Sequence, residues 1–263
     1  MTKFKIVYTI SDNEKMKADL MNSIESALNF VNGSDIIVIS TPNHDYDLID
    51  KLKEDVNVFI YNKNYTKPWR LHPYNKSEEP KRYGEKLLIT TIGYKNVIFL
   101  DCDTYIYNHP EILFDEDYDF GGSAIDYPEK EVTPWQIRRS VLDKIKFIYN
   151  LKGDNIHIWN GGHLIFRNFL HIKLHDIWLK YFDDWDKLDK VESGRHTFDQ
   201  LSLTPALAEL EDIKIKCFDV DKIMKTGWYR NSWKNYKFPK SVCILHGDNL
   251  KEHIEKGREL GYL

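Results

Sequence analysis

Cysteine is scarce in this chain of 263 residues: Cys102, Cys217 and Cys243 are too few and too scattered for a disulfide framework, a usage that fits a reducing compartment. Long apolar runs are also missing. The longest unbroken ones, such as Ile36 to Ile39 and Val97 to Leu100, hold four residues, against the roughly 20 that a bilayer-spanning helix needs, so no transmembrane segment is expected. The first ten residues alternate as a strand does and carry neither a long apolar region nor a small-residue cleavage site. No secretory leader is expected, and the chain reads as cytoplasmic. Positive charge is not in surplus either, since 37 Lys and Arg stand against 41 Asp and Glu for a formal net charge of −4. This balance disfavours a protein that tracks nucleic-acid phosphates over many base pairs, although a local basic cluster can still hold a small phosphate.

What the chain has in quantity is apolar and aromatic side chains, 42% and 14% of residues, with 16 Tyr, 13 Phe and 7 Trp. That supply of burial offsets the entropy of ordering the chain and excludes general disorder. Most of the rings are expected in the core, and some, such as Trp135, Trp159, Trp228 and Trp233, have the chemistry to stack on sugar faces. No internal repeat and no low-complexity linker divides the chain, so it reads as a single domain over 1–263.

The periodicity alternates between strand and helix. Phe4 to Ile10 reads as a strand, and Met16, Leu20, Ile24, Ala27, Leu28 and Val31 then fall on one face of a helix that Gly33 stops. Asp35 to Ser40 is a β-branched run of the kind buried on both faces of a parallel sheet, followed by a helix at Asp47 to Lys53 and a strand at Val56 to Tyr61. Asn62 to Pro80 reads as a loop, Lys81 to Ile92 as a helix, Val97 to Leu100 as a buried strand and Tyr118 to Ile125 as another. A helix is expected over Thr133 to Asn150 and a strand over Ile156 to Phe166, interrupted at Asn160-Gly161-Gly162. Helices at Phe169 to Phe182 and Thr197 to Leu210 precede strands at Ile213 to Phe218 and Ser241 to Leu245. Such alternation defines an α/β class with a mixed, mostly parallel central sheet flanked by helices.

The sharpest chemical signal is Val97-Ile98-Phe99-Leu100-Asp101-Cys102-Asp103-Thr104, an apolar strand that delivers two acids one residue apart at its carboxyl end. Open α/β sheets bind ligands at that end. Two carboxylates there repel unless a cation meets them, and Mg²⁺ or Mn²⁺ held by a few carboxylates and substrate phosphates is a common solution. Two other readings of the same residues stand beside this one: a solvated loop capping the next turn, and a phosphatase in which the first acid is the nucleophile. The phosphatase pattern expects its Thr or Val one place later, where Tyr105 stands.

The segment resembles the Asp-x-Asp signature of nucleotide-sugar glycosyltransferases of the GT-A, Rossmann-like fold, and its surroundings extend the likeness to the glycogenin-like retaining enzymes of family eight. Ile6 to Leu28 is similar to that family's first strand, nucleotide-base loop and first helix, which implies donor contacts at Tyr8, Thr9 and Asp12. Lys81-Arg82-Tyr83-Gly84-Glu85-Lys86 resembles the helix whose basic residue, here Lys86, faces the donor diphosphate. Gly121 to Asp126 is similar to the strand that ends in an acid at the sugar. Asn160-Gly161-Gly162 resembles the family's Asn-x-Gly turn, and Phe198-Asp199-Gln200 its Asp-Gln pair near the anomeric carbon. Leu245 to Lys251 resembles the C-terminal segment whose His completes the metal site and whose Lys meets the phosphates, although Lys251 lies five places after His246 where the family tends to have six.

The resemblance covers residues 4–251. It implies a nucleotide-binding part over about 1–105 and an acceptor side over about 106–263. It implies Mn²⁺ or Mg²⁺ held by Asp101, Asp103 and His246, and donor contacts from Lys86, Asp101, Cys102, Asn160, Gly161, Gly162, Gly247 and Lys251. Asp126, Asp199 and Gln200 are then the groups at the reacting sugar. The implied activity is transfer of a hexose from a nucleotide sugar, a UDP-hexose above all, to a glycan or other hydroxyl acceptor with retention at the anomeric carbon. The alternatives are a silent nucleotide-sugar or glycan-binding module on the same fold and an inverting enzyme with Asp126 or Asp199 as base. Each residue also has an ordinary structural role open to it. Lys86 can be a surface charge, Asp199 a first-turn helix acid, His246 a partly buried hydrogen-bonding His, and Cys243-x-x-His246 half of a zinc site.

Overall fold

The computed structural model of the chain describes residues 4–10, 14–40, 45–61, 83–127, 137–153, 156–191, 198–219, 224–226, 243–247, 255 and 259. The first half of the chain builds β1 (Lys5–Ile10), α1 (Glu14–Leu28), β2 (Ile36–Ser40), α2 (Tyr46–Leu52), β3 (Asn57–Ile60), β4 (Val97–Leu100), β5 (Thr104–Ile106), β6 (Phe120–Gly122) and β7 (Asp126–Tyr127). There follow β8 (Ile137–Arg138), α3 (Arg139–Ile148), β9 (His163–Phe166), α4 (Leu170–Lys173), α5 (His175–Phe182), α6 (Trp185–Val191) and α7 (Phe198–Glu209). Three short strands, β10 (Ile215–Cys217), β11 (Met224–Thr226) and β12 (Ile244–His246), follow, and 3₁₀ helices stand at Gly33–Asp35, Tyr83–Thr91 and Pro110–Phe114.

A seven-stranded sheet in the order β10-β6-β9-β4-β1-β2-β3 forms the centre. Its pairs are parallel except at β9, which runs antiparallel to both β4 and β6. The mixed, mostly parallel α/β sheet expected from the sequence is therefore the one observed. Its central strands are apolar on both faces because both faces are covered. Along β1, Val7 joins one core with Ile37, Ile39, Phe99, Leu164, Phe166 and residues of α3, α5 and α7. Its neighbours Ile6 and Tyr8 join the opposite core with Ile36, Val38, Ile98, Leu100 and the apolar stripe Leu20, Ile24 and Ala27 of α1.

Several elements differ from the sequence expectation, each with a local cause. Within the helix expected over 81–92, Tyr83–Thr91 is a 3₁₀ helix. Thr90 and Thr91 donate their hydroxyls to the carbonyls three residues back, Leu87 and Leu88, at 2.6 and 2.7 Å, and this favours the tighter winding. The strand expected over 156–166 pairs as a ladder only at β9, with one isolated bridge from Trp159 to Ala124. Between them the Asn160 carboxamide oxygen accepts the Gly162 N–H at 2.7 Å and turns the chain. The helix expected over 169–182 comes as α4 and α5. His171 Nε2 lies 2.8 Å from the Ile92 carbonyl and His175 Nδ1 2.5 Å from Thr90 Oγ1, so both pieces are tied to the end of the 3₁₀ segment. Of the helix expected over 133–150, 133–136 lie outside the described residues and α3 begins at Arg139 after the short strand β8. The loop expected at 62–80 and the aromatic stretch from Trp228 lie outside the described residues as well.

A small antiparallel pairing matters most for the site. β5 leaves the end of β4 and pairs with β12, with Thr104 opposite His246 and Ile106 opposite Ile244, while β11 flanks β12. Polar side chains of α1 fasten β5 in place. Buried Ser23 donates to Tyr8 Oη and lies 3.0 Å from Thr104 Oγ1, and buried Ser26 accepts the Ile106 N–H at 2.9 Å while donating to the Ser23 carbonyl at 2.6 Å. Ser26→Ala leaves the buried Ile106 N–H without its acceptor and is expected to lower stability by about 1–3 kcal/mol. The shift of the urea midpoint at unchanged slope checks this.

Candidate active site and metal centre

The end of β4 gathers the charged groups. Asp101 is aligned through its backbone, whose N–H donates to the Gly162 carbonyl at 2.8 Å, and the turn over Cys102 and Asp103 is closed by Thr104 Oγ1 donating to the Asp101 carbonyl at 2.7 Å. The β5–β12 register brings His246 beside Asp103, and the Gly247 N–H donates to the Asp103 carbonyl at 3.1 Å. His246 Nε2 then lies 3.3 Å from Asp103 Oδ1 and 3.9 Å from Asp101 Oδ2. Asp101, Asp103 and His246 each offer a ligand atom, and these atoms all fall within 4.8 Å of one another.

Lys86, carried by the 3₁₀ helix, closes the other side. Its ammonium is 3.0 Å from Asp101 Oδ2 and 2.8 Å from Asp199 Oδ2, the latter on the first turn of α7. Asp199 is 3% exposed at its side chain, so it is an interior acid paired with Lys86 rather than a solvated helix-start charge. Two adjacent glycines make room for both halves. A Cβ at Gly161 would stand 2.7 Å from Lys86 Nζ and 2.9 Å from Asp199 Oδ2, and one at Gly162 would stand 2.0 Å from His246 Cε1. No side chain fits at either place without displacing the charged groups.

Electrostatics follow from this packing. Burial opposes charge on Lys86, but Asp101 and Asp199 outweigh it and hold the ammonium above its ordinary pKa. Burial raises Asp101, with the Asp103 charge adding to it, against the pull of Lys86. For Asp103 burial again opposes ionisation, but His246 outweighs it and holds the carboxyl below its ordinary value, while the same pairing raises His246 against its own burial. Two carboxylates and one imidazole are a donor set for Mn²⁺ or Mg²⁺. Of the six buried side-chain atoms without a hydrogen-bond partner among the described residues, His246 Nδ1 and Gln200 Oε1 belong to residues that the resemblance puts at the site, and each is open to a further partner.

Other residues implicated by sequence fall around this centre in different ways. Asn160 is buried, holds the Gly162 N–H and donates its own N–H to the Ser123 carbonyl, so it shapes the glycine turn. Tyr8 has its ring fully buried in the core shared with α1, and its hydroxyl accepts from Ser23 Oγ. The Cys102 thiol likewise turns inward, 3.3 Å from the Thr9 carbonyl, and burial together with the flanking carboxylates pushes its pKa well up. Asp126 has a fully buried carboxylate that accepts the Ile158 N–H at 3.0 Å and faces His157 Nδ1 at 3.3 Å. It braces the segment leading to Asn160. The Cys243 thiol donates to the Asn108 carbonyl at 3.5 Å and is not part of the ligand cluster found among the described residues. Asp12 and Lys251 lie outside the described residues.

The sequence reading passed over His163, which sits at the start of β9 with no exposed surface, its Nε2 2.5 Å from Ser123 Oγ. Burial, His246 and Lys86 all push its pKa well down, so the ring is neutral. Its one signal in the sequence is a lone polar side chain heading the apolar run Leu164-Ile165-Phe166, immediately after the glycine pair.

No family model and no curated protein matches the sequence. Solved structures match in fold over nearly the whole chain. The galactosyltransferase LgtC in complex with donor and acceptor sugar analogs is 14% identical, with 97% of this chain and 95% of that chain covered and a TM-score of 0.58. Mouse xyloside xylosyltransferase 1 in its apo form is 13% identical, with 94% and 98% covered and a TM-score of 0.56. The glycosyltransferase GlyE of Streptococcus pneumoniae TIGR4 is 13% identical, with 93% and 55% covered and a TM-score of 0.53. At these identities the likeness is one of fold, and the fold of this chain is that of the GT-A glycosyltransferases.

The Lys86–Asp199 pair can be tested without any ligand. Lys86→Met leaves the Asp199 carboxylate buried and unpaired, with an expected loss of about 3 kcal/mol, and adding Asp199→Asn restores part of it. Urea denaturation of the two variants measures both steps.

Proposed function

We propose that the chain is a metal-dependent glycosyltransferase that moves a hexose from a nucleotide sugar, a UDP-hexose, to a hydroxyl acceptor such as a glycan, with retention at the anomeric carbon. The observation that carries this reading is the convergence of Asp101, Asp103 and His246 within 4.8 Å, beside Lys86, at the carboxyl end of a central strand of this fold. Asp101, Asp103 and His246 would hold Mn²⁺ or Mg²⁺, which as a Lewis acid stabilises the negative charge that grows on a departing diphosphate.

Lys86 adds a compact positive charge for the same phosphates, and its two carboxylate partners keep it protonated and in place. Gly161 and Gly162 let the ligand approach the backbone closely. Gln200 offers a buried carboxamide oxygen, unpartnered among the described residues, as the group for a sugar hydroxyl or for positive charge developing at the anomeric carbon. Retention is supported by what the two candidate bases are doing. Asp199 is ion-paired to Lys86, and Asp126 is buried on Ile158 and His157. With both carboxylates engaged elsewhere, a leaving phosphate on the same face of the sugar would serve as the base.

This reading requires nucleotide binding that depends on the metal. Thermal melting with UDP should show a rise of about 5 °C or more at saturating ligand when Mn²⁺ is present and none without it. Asp103→Ala should remove the rise while keeping the unliganded melting point near that of the wild type. A rise for UDP that is indifferent to Mn²⁺ would count against the metal assignment.

A further inference from the structure

His246 is the member of the ligand set with the least support of its own. Metal-binding imidazoles ordinarily give their second ring nitrogen to a carboxylate, carbonyl or water, which fixes tautomer and tilt. Here that nitrogen, Nδ1, is buried and has no partner among the described residues. What the ring does touch is known on two sides. Gly162 lies against its Cε1 edge with no room for even a methyl group. His163, the next residue, stands against it edge to face, with ring centroids 5.7 Å apart and planes at 83°.

His163 is itself costly to bury. Its side chain has no exposed surface, its Nδ1 is partnerless among the described residues, and it occupies a position opposite Leu100 in the register of β9 on β4. An apolar residue there would serve the sheet better. The ring is nevertheless fixed, because Ser123 Oγ meets its Nε2 at 2.5 Å and the Ser123 carbonyl is in turn held by the Asn160 N–H. Ser123 thus holds His163 through a buried hydrogen bond, and His163 in turn packs its ring against the His246 imidazole.

We propose that His163, held by Ser123, is a positioning residue for the metal site, setting the tilt of the His246 imidazole so that Nε2 meets the ion together with Asp101 and Asp103. This rests on the metal-binding reading of those three residues. His163 does not touch the ion, and its contribution is the orientation of the ring that does.

The test measures Mn²⁺ affinity of the full chain by the electron paramagnetic resonance signal of free Mn²⁺, alongside melting without metal, for wild type, His163→Leu, Ser123→Ala and Asp103→Ala. His163→Leu is expected to weaken Mn²⁺ binding about 10- to 100-fold, and Ser123→Ala about 10-fold, while the melting point without metal is kept or raised. Ser123→Ala removes one oxygen and decides the matter should the larger change prevent folding. Mn²⁺ affinity within twofold of wild type in both folded variants, with binding abolished in Asp103→Ala, overturns the positioning role and leaves the metal site standing. No Mn²⁺ binding by the wild type overturns the metal reading and this inference with it.

Discussion

Asp101 and Asp103 repel each other at the end of β4, where both side chains are only partly exposed, and the local structure is arranged to answer that repulsion. Positive groups come from two separate parts of the chain. Lys86 arrives from the 3₁₀ helix before β4 and takes Asp101, while His246 arrives from β12 and takes Asp103. Asp199, from the start of α7, meets Lys86 from its other side and thereby fixes where that ammonium can sit. A divalent cation among Asp101, Asp103 and His246 would relieve the remaining repulsion more fully than one imidazole can.

The fold supplies the places from which these groups approach. A sheet covered on both faces lets β4 run through the core as four buried apolar residues and end in charge. Antiparallel β9, inserted between β4 and β6, carries the Asn160-Gly161-Gly162 turn to the same edge. Its two glycines leave space for Lys86 and His246 to lie against the backbone. On the opposite core, hydroxyls of α1 hold β5, and the register of β5 on β12 sets which residue of β12 stands beside Asp103. The site therefore depends on contacts made well away from it.

Part of this was legible in the residues alone. A β-branched or aromatic run ending in Asp-x-Asp announces both a buried strand and a charged strand end, and that is what β4 is. His246 could be joined to the two acids only by resemblance, because the β5–β12 pairing that unites them spans about 140 residues of sequence. The burial of the Tyr8 ring follows from alternation, since it shares a strand face with Ile6 and that face is the one α1 covers. Asp126 and Asp199 look alike as sequence acids, yet one braces a backbone and the other pairs with a lysine from a distant segment. Such partners follow from tertiary packing, which no local pattern encodes. The 3₁₀ winding of Tyr83–Thr91 was hidden for a smaller reason, the choice of two threonine hydroxyls to bond three residues back.

The central claim is that these residues form a site which breaks a sugar–phosphate bond with the help of a metal ion. The most direct measurement is release of nucleoside diphosphate from a panel of UDP-hexoses by the purified chain without acceptor, in Mn²⁺ and then in excess chelator. The account predicts slow release from at least one donor in Mn²⁺ and none once the ion is removed. Release that continues unchanged in chelator would contradict it, as would donors that bind in Mn²⁺ and are returned intact.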